Sequence, residues 1–119
     1  MIIAVDFDGI IVEDTFPSIG KPDYEILTLL WEVMRQGHEV ILWTCRVENR
    51  LREAVDWCKE HRINFTRING NAPSNLAKYK TDPRKVYADV YIDDRCVGYD
   101  RNKAVEFLKS LVKEGNSNE

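Results

Sequence analysis

Strand-like and helix-like stretches alternate along this chain, and the alternation limits its possible folds more than any other feature. "IIAVDF" (residues 2–7) reads as a short buried strand, and residues 23–36 repeat apolar side chains at helical spacing (Ile26, Leu30, Val33, Met34) up to a stop at Gly37. "EVILWT" (39–44) is the next strand, and residues 47–62 set Leu51, Ala54, Val55 and Cys58 on one helical face. "INFTRI" (63–68) is a third strand, and a polar loop follows through "NGNAPSN" and "KTDPRK". "VYADVYI" (86–92) is a fourth strand, and residues 101–113 form a last amphipathic helix. Repeated units of this kind predict a single doubly wound, Rossmann-like three-layer α/β/α domain, with a mainly parallel sheet and helices on both faces. Ligands of such sheets bind at the carboxyl ends of the strands.

Composition sets the outer bounds. A chain of 119 residues, 44% of them apolar, has enough core for one domain, here residues 1–114, while the polar residues 115–119 read as a frayed tail. The net charge of -3 and a pI near 5.4 offer no broad basic surface, so a nucleic-acid partner has no support from net charge. No charged and apolar leader opens the chain and no apolar run reaches about 18 residues, which speaks against export and against a membrane partner. Cys45, Cys58 and Cys96 are odd in number and lack C-x-x-C spacing, as expected of reduced, packed thiols in a cytoplasmic protein.

The strand ends carry the chemistry. Asp6 and Asp8 follow the first strand, Thr44, Cys45 and Arg46 the second, and Asp93, Asp94 and Arg95 the fourth. On an extended chain Asp6 and Asp8 point to one face about 7 Å apart. At an effective dielectric near 20 their repulsion is about 2 kcal/mol, which a cation or a proton would relieve. Taken singly, each residue is explained as a turn former, a helix cap or a solvated charge. Four acids and a hydroxyl at one sheet edge exceed what capping needs.

In this order and at these strand ends, "DFDGI", "ILWT", a downstream lysine and "YIDD" resemble the four motifs of the haloacid dehalogenase-like hydrolases, most of them magnesium-dependent phosphatases. The resemblance runs from Ile2 to about Leu111. It implies that Asp6 is a nucleophile forming an aspartyl-phosphate and that Asp8 is the general acid and then the base. It also implies that Mg²⁺ is held by Asp6, the Asp8 carbonyl and the pair Asp93 and Asp94, Asp94 being favoured as the direct ligand. Oxygen-only ligation suits that ion. Thr44 and main-chain N–H groups after Asp6, including the Gly9 turn, would bind the phosphoryl oxygens. The motif lysine is Lys85, directly before the fourth strand, with Lys80 the alternative. Ile10 departs from the family, which usually has threonine or valine there, and is expected to alter packing rather than chemistry.

Neither place where larger relatives insert a cap has room for one. Residues 10–22 suffice for a flap hairpin, and residues 69–84 for a short helix. The resemblance therefore implies a capless phosphomonoester hydrolase with an open site and a phosphorylated substrate. Arg46 and Arg95, with Cys45 between Thr44 and Arg46, are candidate substrate contacts, since guanidinium groups grip phosphate bidentately. "WTCR" and "IDDR" also resemble polynucleotide 3'-phosphatase domains, which makes a polynucleotide or nucleotide phosphatase module the alternative. A receiver-like phosphoacceptor domain has an acidic cluster too, but there the adjacent acid pair ends the first strand. Trp31, Trp43 and Trp57 read as packing groups, and His38 and His61 as polar groups at helix ends.

Overall fold

A computed structural model describes residues 1–116. Its elements are β1 (Ile2–Val5), α1 (Tyr24–Arg35), β2 (Glu39–Leu42), α2 (Glu48–Glu60), β3 (Arg67–Ile68), α3 (Pro73–Tyr79), β4 (Val90–Ile92) and α4 (Arg101–Asn116). The four strands form one parallel sheet in the order β3-β2-β1-β4. This is the three-layer Rossmann-like α/β fold that the alternation predicts. The last helix continues through Asn116, past the expected end, and the remaining tail positions 117–119 lie outside the described residues.

Strand periodicity divides the core. Ile3 and Val5 of β1, with Val40, Leu42 and Ile92, pack against Leu30 and Val33 of α1, Ala54 and Cys58 of α2, and Leu108 and Leu111 of α4. The opposite face, Ile2, Ala4 and Ile41, meets only Ala72, Val86 and Ala88 and the partly buried Trp43 and Tyr91. The layers are therefore unequal: three helices fill one side, and short α3 with its flanking loops covers the other.

Local chemistry fixes the helix ends. Asp23 caps α1 by accepting from the Ile26 amide at 3.2 Å. At the other end Gly37 takes φ +96°, its amide donates to Met34 O and the His38 amide to Val33 O, the paired closure that a left-handed residue permits. Helix α2 closes in the same way, with Arg62 in the left-handed conformation.

Two expected strands are shorter than their sequence pattern. Of residues 63–68 only Arg67 and Ile68 pair with β2, because the chain leaves α2 with Ile63 already buried in the core. Of residues 86–92 only Val90–Ile92 pair with β1, while Val86 and Ala88 pack beneath the second face of the sheet. The cysteines also divide: Cys58 is buried, and burial pushes its thiol up to about 12, but Cys45 and Cys96 lie in loops beyond strand ends and are exposed. Trp31 is exposed as well, beneath the Arg35 guanidinium.

Candidate active site

The parallel register brings the ends of β1 and β4 side by side, since Val5 pairs with Ile92. The next residues on each strand are therefore neighbours, and carboxylate oxygens of Asp6, Asp93 and Asp94 all lie within 4.8 Å of one another. Burial foremost, and then the charges of Asp93, Asp94 and Asp8, push the Asp6 carboxyl up to about 7. The Phe7 amide, donating to Asp6 Oδ1 at 2.8 Å, partly opposes this. Asp94 is also raised, by burial and by Asp93, and its Oδ1 is buried with no hydrogen-bond partner among the described residues. Asp93 is tied by the Arg95 amide, which donates to its Oδ1 at 2.9 Å. Three oxygen donors, one of them orphaned, with charges that cost free energy when unpaired, suit a hard divalent cation such as Mg²⁺.

Asp8 belongs to a different arrangement. Arg46 grips it bidentately, Nε donating to Oδ2 at 2.7 Å and a terminal nitrogen to Oδ1 at 2.8 Å. The remaining Arg46 donors reach Pro17 O, Ser18 O and Arg50 O. This corrects the expectation that Arg46 is a free clamp for substrate. It is 2% exposed, and all its N–H donors are engaged inside the protein.

Residues 10–22 do form the expected flap. Its two limbs are joined by the Glu13 amide donating to Lys21 O and the Asp23 amide donating to Ile11 O. The flap and the strand ends frame a half-open cavity of about 490 Å³, lined by Asp6, Asp8 and Asp93 together with Asp14 and Phe16 of the flap, and by Trp43, Thr44, Cys45, Arg46 and Arg95. Asp14, Phe16 and Trp43 escaped the sequence reading, because a flap tip has no periodicity and Trp43 carries the signal of a packing residue. The amides of Phe7, Gly9 and Ile10 all donate within the β1 loop, so they are not the loose phosphoryl donors expected after Asp6. Ile10 is buried in the core, in line with a packing role.

Thr44 is set by a residue that sequence reasoning missed. Its amide donates to Asn69 Oδ1 at 2.8 Å, and its hydroxyl accepts from the Arg46 amide at 3.1 Å, leaving the hydroxyl proton available to the cavity. Lys85 is not brought to the cavity wall; its ammonium lies 5.7 Å from the ring centroid of Tyr91 in β4. Lys80 ends α3 in the left-handed conformation. The loop bearing both is stapled by buried Asn71, which donates to Asp82 Oδ1 and Pro83 O and accepts from the Tyr87 amide. Arg95 is the exposed cation of the cavity lining.

Among the described residues, fold and site define an α/β domain with no cap and an acidic centre at two adjoining strand ends. A solved structure of a conserved protein from Bacteroides thetaiotaomicron shares the fold with a TM-score of 0.78 and 37% sequence identity, over 92% of this chain and 90% of that one. The chain belongs to the family of that protein. No protein-family model and no curated protein matches it. No described helix is long and apolar enough to cross a membrane.

Proposed function

We propose that the protein is a Mg²⁺-dependent phosphomonoester hydrolase of the haloacid dehalogenase-like kind, working through a phosphoryl adduct on Asp6. The observation that carries this reading is the cluster of Asp6, Asp93 and Asp94 carboxylate oxygens within 4.8 Å of one another, where burial and the neighbouring acids raise the Asp6 carboxyl to about 7. Those three side chains would hold the metal, which would supply charge neutralisation between an anionic phosphoryl group and a carboxylate nucleophile. Asp6 attacks phosphorus and the bond to the leaving oxygen breaks, that oxygen taking its proton from solvent; Asp8, the carboxylate paired with Arg46, then takes a proton from the water that cleaves the adduct. Thr44 donates its hydroxyl proton to a phosphoryl oxygen. The second positive charge is assigned to Lys85 on the motif resemblance alone, since its ammonium stands over the Tyr91 ring and outside the cavity lining.

Arg95 with the aromatic wall of Phe16 and Trp43 favours a nucleotide or polynucleotide phosphoester among possible substrates. A receiver-like phosphoacceptor is less well supported, because the spaced acid pair ends the central strand β1. Turnover of an aryl phosphate is the direct test. Hydrolysis should stop in chelator and return with Mg²⁺ while the circular dichroism stays unchanged; undiminished hydrolysis in chelator rejects the mechanism.

A further inference from the structure

We infer that Arg46 is a positioning residue that ties the flap to the Asp8 carboxylate, so that Asp8 is held in place by the flap as well as by its own loop. The catalytic half of this inference rests on the phosphatase reading, whereas the mechanical half stands on contacts alone. The Arg46 side chain is 1% exposed. Its five N–H donors find five acceptor contacts: both oxygens of Asp8, the flap carbonyls of Pro17 and Ser18, and Arg50 O in the first turn of α2. Its guanidinium carbon lies 5.2 Å from the ring centroid of Phe7, beside the nucleophile, and 5.1 Å from that of Phe16, on the flap. Three separate segments therefore meet at one cation.

A flap that needed only to be closed would be held as well by apolar packing, because a buried ion pair is often no more stabilising than well-packed apolar groups of its size. What the pair adds is direction. Two parallel N–H···O bonds fix the plane of the Asp8 carboxylate as well as its position. If the flap lifts, the guanidinium loses two carbonyl acceptors and one aromatic face in a place where unpaired donors are costly, so the grip on Asp8 loosens with it. Asp14 and Phe16, on the same flap, line the cavity, so a substrate touching them acts on Asp8 through Arg46.

The coupling is reciprocal, so it can be tested from both ends. Amide hydrogen exchange of the flap, read at Glu13 and Ser18, whose amides donate to Lys21 O and Thr15 O, is compared in the wild type, Arg46→Lys and Asp8→Asn. Both variants should exchange there at least tenfold faster, with the amides of β1 and β2 unchanged. Because Asp8 is partly exposed, Asp8→Asn keeps the test alive should Arg46→Lys fail to fold. Flap exchange equal to wild type in a folded variant overturns the inference, whatever the protein hydrolyses. If the wild type turns over an aryl phosphate, Arg46→Ala should lose at least tenfold in kcat with KM within threefold, and millimolar guanidinium ion should restore part of that loss. A KM effect alone would make Arg46 a substrate contact and reject the positioning role.

Discussion

Gly9 and Asp94 stand in such close contact that a Cβ at position 9 would overlap the Asp94 carboxylate. Gly9 also takes φ +91°, so the loop after β1 is closed to other residues on two counts. The close approach lets the β4 carboxylate fold over the β1 loop beside Asp6. Gly9→Ala should therefore push Asp94 away and strain the turn by about 1–2 kcal/mol. Denaturant unfolding should read that loss, and a calorimetric Mg²⁺ titration should show at least tenfold weaker binding. Wild-type Mg²⁺ affinity in a folded Gly9→Ala protein would remove Asp94 from the metal site.

Much of this was legible in the sequence, and what was not has physical causes. The order of elements and the acidic strand ends follow from apolar periodicity and from charges placed where strands stop. The length of β4 did not follow, because Val86 and Ala88 alternate with exposed Tyr87 and Asp89 as a strand would, yet pack under the sheet without pairing to β1. The role of Arg46 was hidden for another reason. An arginine beside a strand end has the same sequence signal whether it faces a ligand or an internal carboxylate, and only the fold of residues 10–22 brings Pro17 and Ser18 to it. Asn69 and Asn71 stand in a stretch that reads only as a polar loop, although their side chains hold the Thr44 amide and the 82–87 loop.

The α1 cap gives a pH dependence independent of the site. Arg101 donates to both oxygens of Asp23, and that bond foremost holds the Asp23 carboxyl below its ordinary value. A carboxylate with a depressed folded pKa contributes stability that is present above its unfolded value near 4 and is lost as pH falls through the folded one. Asn still caps a helix, so Asp23→Asn removes the ion pair alone. Its cost should be below about 1 kcal/mol at pH 7, since Arg101 is partly exposed, and should vanish toward pH 2. Asp23→Ala should lose about 1 kcal/mol beyond Asp23→Asn, and only that extra loss of the cap should depend little on pH. Chemical denaturation across pH 2–8 measures both, and an Asp23→Asn deficit that grows on acidification would refute this account.

The two lysines are separable by mutation. Lys85→Ala should lower kcat for an aryl phosphate at least a hundredfold, as expected for a transition-state charge contact worth about 3 kcal/mol. Lys80→Ala, at the C-cap of α3, should stay within twofold of wild type. Steady-state kinetics on both variants decides it. The reverse ranking would move the motif lysine to Lys80, and two silent variants would leave Arg95 as the active cation of the cavity.

Asp6 and Asp8 sit in unlike surroundings, one in an acidic cluster and the other on an arginine, so their neutral variants should fail at different steps. Asp6→Asn should be inactive, because an amide is a poor phosphoryl acceptor and a weaker metal ligand. Asp8→Asn leaves the nucleophile intact, so a substrate with a good leaving group should still transfer its phosphoryl group to Asp6. The water that follows then lacks its base and the adduct persists. Mass spectrometry after an acid quench should find phosphate on Asp6 in the Asp8→Asn protein, little in the wild type and none in Asp6→Asn. Phosphate on Asp93, Asp94 or a serine would replace the proposed nucleophile and restore the receiver-like reading.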